Sequence, residues 1–301
     1  QRTLTSEARC AALESAIELD PYDVPAWDGR LAEAVREGNA VPVFERALER
    51  FPTAARIWTA YAEWCESQDP PRALSVYKRC LQQIPSLELW TAHLSFCKRH
   101  QPLEEVVRSY MRATDLLGTD WRAGPLWAEY IALLKRMYNV IQKKQNPDAE
   151  VSGKLLAEDA NPIETARRAA KPLLRKQIEE NKVLDISEEE FVRVAEVLKI
   201  DLNTLRLAFQ RAACSAHSAL DKVWIGYEQF EKSLGNSQLA QKLLGEHMPR
   251  YVRAKASFKD IQALGAGIDN LAVSVPLRPQ SLPAQEKLFD KWKSLLRHER
   301  G

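Results

Sequence analysis

The chain has 301 residues, and its 43 basic and 41 acidic side chains leave a formal net charge of only +2. This balance excludes a strong long-range attraction to nucleic acid or to an anionic membrane surface. No run of about 18 apolar residues occurs, so we expect no membrane partner. Glycine is scarce, at 11 residues, while Ala, Leu, Glu, Lys and Arg dominate, which predicts an all-α fold.

The first predicted element is a helix over 5–19, which we expect to cap the elements that follow it. Its predicted buried stripe consists of Leu4, Ala8, Ala11, Ala12, Ser15 and Leu19. Asp23 then occupies a position from which its side chain can cap the next helix. Pro25 falls in the first turn of that helix, where a missing N–H group is harmless.

Pairs of helices repeat along the chain, and the clearest copy spans Thr53–Pro85. Its first helix contains Trp58 and Tyr61, and its second helix follows the Pro70-Pro71 break. Because each pair can bury only one face against its neighbours, the repeats predict an α-solenoid with an extended surface. The tryptophans that mark first helices are Trp27, Trp58, Trp90, Trp127, Trp224 and Trp292.

Other residues recur at fixed distances within these pairs. An aromatic residue three positions after the tryptophan (Tyr61, Tyr130, Tyr227) and a glutamate seven positions after it lie on the same helix face. We expect the aromatic residues to form the core and the second-helix arginines to bind these glutamates or helix-end carbonyls. The alternative is that the arginines form a row of ligand-binding cations. The recurring charged residues are Glu231 and Glu299 in first helices and Arg46, Arg79, Arg112 and Arg211 in second helices.

The repeat is interrupted between Trp127 and Trp224, and we expect inserted helices at about 141–200 within the fourth repeat. One helix is predicted near 161–180, and another is opened by a capping box of Ser187 and Glu190. Two basic clusters are alternatives for an RNA contact, although a solvated face is favoured because stacking aromatic residues are not interleaved. They are Arg167, Arg168, Lys171, Arg175 and Lys176 in the insertion, and Arg250, Arg253, Lys255 and Lys259 in the fifth repeat.

Repeats one to five occupy 1–264 in this interpretation. The long second helix of the fifth repeat is expected to be kinked or interrupted at Pro249. Glycines and prolines then predict an irregular arm over 265–283. Residues 284–301 are predicted to form the first helix of a sixth repeat that is not completed, so we expect the chain to be part of a longer protein.

The sequence carries no recognisable catalytic or cofactor-binding signature, since Gly-x-Ser-x-Gly and His-Glu-x-x-His are both absent. Tyr22 and Trp27 match the helical hairpins of protein prenyltransferase α-subunits only weakly, because their spacing differs. His93, Cys97 and His100 are spaced like metal ligands on one helix face, but zinc needs about four ligands. His93 and Cys97 also fill core positions of the repeat, so we expect no metal, no cofactor and no enzymatic activity.

Three segments together resemble one family of helical-repeat proteins. They are Asp20-Pro21-Tyr22-Asp23 before the first repeat, Val223-Trp224-Ile225-Gly226-Tyr227 with Glu231, and the arm Val273-Ser274-Val275-Pro276. With the aromatic-x-Arg-Ala pattern of the second helices, they resemble HAT (half-a-TPR) proteins, and among these the suppressor-of-forked family, the large subunit of cleavage stimulation factor. The chain departs from the motif at His93, Cys97 and Leu134.

The resemblance implies a right-handed superhelix of HAT hairpins that acts as a nuclear, non-catalytic protein scaffold in pre-mRNA 3′-end cleavage and polyadenylation. Its partners would be protein subunits of that machinery. The full-length protein would form a homodimer through a second HAT half that lies outside this chain, so this chain is expected to be monomeric. Two alternatives stay open: a HAT scaffold of splicing or ribosomal-RNA processing, and direct RNA binding by the basic inserted helices.

Overall fold

The computed structural model describes residues 6–145, 186–266, 268 and 282–300. Every regular element in these ranges is an α-helix, which confirms the predicted all-α class. The helices are α1 Ser6–Leu19, α2 Val24–Glu37, α3 Val41–Arg50, α4 Ala55–Gln68, α5 Pro70–Leu81, α6 Leu87–His100, α7 Leu103–Leu117, α8 Gly124–Gln145, α9 Glu188–Leu198, α10 Leu202–Ala213, α11 Leu220–Ser233, α12 Ser237–Gly265 and α13 Leu282–Arg300.

The chain divides into two compact units, one of Gln1–Ala92 with Gly265–Gly301 and the other of His93–Leu264. In the first unit, α1 to α5 pack in chain order, each on the next. In the second unit, α7 packs on α8, α8 on α10 and α10 on α11, while α9 packs on both α7 and α8. Packing between successive helices is the pattern of a helical solenoid, in which each hairpin buries its apolar face against its neighbours.

Local capping chemistry sets several helix boundaries. Asp23 accepts a hydrogen bond from the backbone N–H of Ala26 (3.3 Å), as predicted, and α2 ends at Gly38 with φ 74°. Only glycine adopts such a left-handed conformation without strain. Ser187 likewise caps α9, since its hydroxyl accepts from the N–H of Glu190 at 3.3 Å.

The predicted stripe of α1 is wrong. Leu19 is 90% exposed, and the alanines of that stripe also face solvent. The helix instead turns Leu13 and Ile17 toward α2, where Leu13 lies against Gly29 so closely that a Cβ there would be 2.9 Å from the leucine. Alanine side chains bury little apolar area and so predict the buried face weakly. The absence of a side chain at Gly29 leaves room for Leu13, so the face that carries Leu13 is the buried one.

The sequence predicted a long second helix for the fifth repeat, and α12 Ser237–Gly265 confirms it. This helix runs without a break through Pro249, so of the two predicted outcomes, a kink or an interruption, the interruption does not occur. α8 extends into the predicted insertion, because it ends at Gln145. The helix predicted near 161–180 and most of the predicted arm lie outside the described residues.

Candidate interaction surface of the helical repeats

The repeat tryptophans are buried between helices rather than presented to a ligand. Those of the first five repeats are nearly inaccessible to solvent, whereas Trp292 on α13 is half-buried. Three indoles also donate a hydrogen bond to the loop before their helix: Trp27 to the carbonyl of Pro21 (3.0 Å), Trp58 to that of Pro52 (2.8 Å) and Trp127 to that of Gly118 (2.8 Å).

Three of the repeated arginines lie over the tryptophan of their own repeat. The guanidinium carbon is 5.1 Å from the ring centre for Arg46 on Trp27, 5.0 Å for Arg79 on Trp58 and 5.4 Å for Arg211 on Trp127. A cation over an indole face is attracted by the ring electrons. Each guanidinium group therefore covers the edge of the hydrophobic core, and the side that lies on the indole ring is not free to bind a ligand.

The same arginines bind carboxylates, although not the predicted first-helix glutamates. Arg211 also donates to the carbonyl of Thr114 near the end of α7 (3.4 Å), which agrees with the predicted alternative of helix-end carbonyls. Each carboxylate belongs to the second helix of the preceding repeat, or to α1, instead of to a first helix. The pairs are Arg46–Glu14 (2.5 Å), Arg79–Glu45 (2.8 Å) and Arg211–Asp115 (2.8 Å). Hydrogen bonds from Arg79 lower the pKa of Glu45, which also accepts from the Tyr61 hydroxyl at 3.0 Å. The arginines thus connect successive second helices, and each pair is solvent-exposed enough to contribute about 1 kcal/mol or less.

The third repeat lacks this pairing. Arg112 is exposed on α7, and no carboxylate of the described residues lies within ion-pair distance of it. In the sequence, Lys78 stands where the preceding second helix has Glu45, so the motif itself omits the acid.

The fourth and fifth repeats are joined by a buried ion pair. Arg206 of α10 donates to both carboxylate oxygens of Glu231 on α11, at 2.6 and 3.0 Å. The side chain of Glu231 is only 1% exposed, and this bidentate pair raises the pKa of Arg206. Glu231 was predicted to face a neighbouring helix, but its partner Arg206 was missed because it lies outside the repeated aromatic-x-Arg pattern.

His93 and Cys97 form a neutral buried pair. The imidazole Nε2 lies 3.3 Å from the Cys97 sulfur. Burial, and then the charge of Arg112, lower the pKa of His93 to about 4, while burial raises the pKa of Cys97 to about 11. His100 instead stacks on Phe96, with ring centres 5.0 Å apart. In the described part of the chain no three metal-ligating side chains converge.

The predicted basic clusters divide into described and undescribed residues. Arg250 and Arg253 are exposed on α12, but Lys255 is engaged, with its amino group 2.8 Å from Asp221. Outside the described side chains lie Arg167, Arg168, Lys171, Arg175, Lys176 and Glu299.

An open groove lies between α8, α9 and the loop that enters α10. Its volume is about 470 Å³, and apolar residues such as Ile141, Val192 and Ile200 line it together with Tyr138 and Asp201. Within the described ranges, no helix is both long and apolar enough to cross a membrane.

A family model described as Suppressor of forked protein (Suf) matches residues 8–151 and 192–301. The chain is 26% identical to mRNA 3′-end-processing protein rna14 of Aspergillus fumigatus, over 97% of this chain and 25% of that protein. It is 24% identical to Cleavage stimulation factor subunit 77 of Arabidopsis thaliana, over 87% of this chain and 29% of that protein. Protein suppressor of forked of Drosophila melanogaster is 21% identical over 97% of this chain and 32% of its own length. The chain therefore spans between a quarter and a third of these relatives.

Proposed function

Because the chain belongs to the suppressor of forked protein (Suf) family, we propose that it is a non-catalytic protein scaffold of pre-mRNA 3′-end cleavage and polyadenylation. The observation that carries the proposal is the family match over nearly the whole chain outside 152–191. Relatives named for mRNA 3′-end processing and for cleavage stimulation factor support it. We infer a nuclear location from membership of that machinery.

The engagement of the motif residues within the fold supports a scaffold. The tryptophans are buried, three of the arginines are paired, and Glu231 is sequestered by Arg206. These polar groups hold successive helices together, so partners bind the outward-facing sides of the helices. A scaffold of this kind positions other subunits and carries no reacting group of its own.

Direct binding tests this proposal. Recombinant subunits of the cleavage and polyadenylation machinery are titrated one at a time into the folded chain in a calorimeter. We expect at least one subunit to bind at a defined stoichiometry with a Kd in the micromolar range or below, about −8 kcal/mol. A folded chain that binds none of these subunits would refute the proposal.

The competing hypothesis of a splicing or ribosomal-RNA-processing scaffold has weaker support, since the matched family and the names of these relatives refer to 3′-end processing. Calorimetry with splicing subunits provides the comparison. Tight binding to those subunits alone would favour the competing hypothesis.

Direct RNA binding is favoured by one observation: Arg250 and Arg253 are exposed on α12, and no carboxylate of the described residues pairs with them. An RNA site there would lose affinity steeply as salt rises, because each phosphate contact releases bound counterions. Filter binding of RNA at increasing salt concentrations distinguishes an RNA-binding protein from a protein scaffold. An RNA affinity that does not change with salt excludes a phosphate-binding face.

We further propose that this chain is monomeric and that the full-length protein dimerises through a second HAT half. Light scattering of the chain tests the first part: a mass near 34.2 kDa is expected, and twice that mass would contradict it.

A further inference from the structure

α12 differs from the other second helices because it is long and little of it is covered. It has 29 residues, of which only Ala240 and Ala254 are buried. Its inner face packs on α11, where Tyr251 stacks on Trp224 with ring centres 4.5 Å apart. Most other residues of α12 are exposed or partly exposed to solvent.

The pairing of α11 with α12 fixes which outer residues lie side by side. Tyr251 and Lys255 both donate to Asp221, at 2.7 and 2.9 Å. The two helices run antiparallel, and Tyr227 contacts His247 farther along α11, so Ile225 is level with the turn of α12 between His247 and Tyr251. Met248 lies one turn before Val252 on the same face of α12.

These three aliphatic side chains are strongly exposed. Ile225 is 53%, Met248 46% and Val252 56% accessible. They lie on the side of the hairpin marked by the Asp221–Lys255 bridge, and we name them the α11–α12 patch. Single exposed aliphatic residues are common on proteins, but a group on one side of a helical pair marks an interaction site.

The rim of the α11–α12 patch is positively charged. Lys222 on α11 and Lys259 on α12 have no carboxylate within ion-pair distance among the described residues. Lys259 lies on this side of the hairpin, because its charge adds to the hydrogen bonds from Lys255 and Tyr251 that lower the pKa of Asp221. Two acids of α11 are already occupied: Asp221 by Lys255, and Glu228 by Lys232 at 2.5 Å.

We propose that the α11–α12 patch binds an acidic amphipathic helix of another protein, with apolar side chains on Ile225, Met248 and Val252 and carboxylates on Lys222 and Lys259. An amphipathic helix supplies apolar anchors at spacings of three and four residues, which suits a narrow aliphatic stripe. A second copy of this chain is disfavoured because a symmetric contact would bring the same lysines together. RNA is disfavoured because the patch offers no aromatic ring on which bases could stack.

This inference is independent of the machinery in which the protein acts, so a simple probe tests it. The probe is a fluorescein-labelled synthetic helix with leucines at i, i+4 and i+7 and glutamates at most other positions. Its binding to the whole chain is followed by fluorescence anisotropy. We expect Val252→Glu to weaken binding at least about tenfold, because it places a carboxylate in the apolar centre. Lys259→Glu should weaken it about threefold to tenfold through loss of a rim attraction.

The matched control is Leu207→Glu on α10, which changes an equally exposed aliphatic residue (57%) away from the patch. Glutamate is a better helix former than valine, so Val252→Glu should not unfold α12. Circular dichroism checks that all variants keep the same helix content. The Leu207→Glu protein should bind the probe with unchanged affinity.

Four results would overturn the proposal. They are no binding of the probe, equal binding by the Val252→Glu and unmodified chains, equal binding of a probe whose glutamates are replaced by lysines, and displacement of the probe by single-stranded RNA. Sedimentation velocity tests the last possible occupant, a second copy of this chain. Self-association that Val252→Glu abolishes would assign the patch to that second copy instead.

Discussion

At the scale of single residues, the charged groups of the repeats differ in how far they are withdrawn from water. The arginine–carboxylate pairs of Arg46, Arg79 and Arg211 are partly exposed, and such pairs contribute little to stability because water screens them. The Arg206–Glu231 pair is buried and bidentate. Removing one member of a buried pair leaves the other charge uncompensated, which is where a large effect is expected.

We therefore expect Glu231→Gln to lower the free energy of unfolding by about 3 kcal/mol. Urea denaturation at neutral pH measures the change. The matched control is Glu228→Gln on the same helix, which breaks the exposed pair with Lys232 and should cost about 0.5 kcal/mol or less. Equal effects of the two substitutions would contradict the structural role assigned to Glu231.

The buried imidazole of His93 makes stability depend on pH. An ordinary histidine takes up its proton near pH 6.5, whereas burial lowers the pKa of His93 to about 4 in the folded chain. The unfolded chain therefore binds this proton first as pH falls from about 6.5 to 4, and the folded state loses up to about 3 kcal/mol across that window. Above pH 6.5 the imidazole is neutral in both states, so this loss of stability does not occur.

His93→Phe restores the aromatic residue that other repeats carry at this position and removes the titration. We expect its melting temperature to fall less between pH 7 and 4.5 than that of the unmodified chain. His298→Gln, which changes a half-buried histidine on α13, is the control and should leave the pH dependence unchanged. If His93→Phe melts with the unmodified pH profile, His93 is not the responsible group.

At the scale of elements, the loop before α8 approaches the loop between α10 and α11 closely. The backbone N–H of Ser218 donates to the carbonyl of Trp121 at 3.0 Å. A Cβ on Gly124 would lie 2.6 Å from the backbone nitrogen of Ala219. Since backbone atoms cannot swing aside as a side chain can, only glycine fits between these loops without displacing one of them.

Gly124→Ala should therefore destabilise the chain by about 1–3 kcal/mol through overpacking. Gly245→Ala is the matched control, because Gly245 lies in the interior of α12 and a Cβ there meets nothing within 4 Å. That substitution should stabilise the chain by about 0.5–1 kcal/mol through the higher helix propensity of alanine. Thermal unfolding of both variants shows whether the signs differ, and a shared sign would disprove the close approach.

Features of single helices could be predicted from the sequence, whereas contacts between helices could not. Tryptophan spacing located the first helices, and Asp23 and Ser187 located helix starts, because periodicity and capping are local properties. The partners of Arg79 and Glu231 depend on which helices become neighbours, so their types could be predicted and their identities could not. The alanine stripe of α1 failed because alanine contributes little burial and Gly29 selects Leu13 instead.

At the scale of the whole molecule, most of the described polar motif residues join neighbouring helices, with Arg112 as the exception. Specific recognition must then come from surfaces outside the motif, such as the α11–α12 patch in the second unit. Sequence reasoning missed this patch because exposed Ile225, Met248 and Val252 look like ordinary helix residues until the pairing of α11 and α12 is known.

Affinity purification of the full-length protein from its own cells tests most directly whether the protein acts in pre-mRNA 3′-end processing. The tagged protein is purified at moderate salt, and the co-purifying proteins are quantified by mass spectrometry against an untagged control. The account predicts that cleavage and polyadenylation subunits dominate the enriched proteins. Enrichment of splicing or ribosomal-RNA-processing factors without those subunits would contradict it.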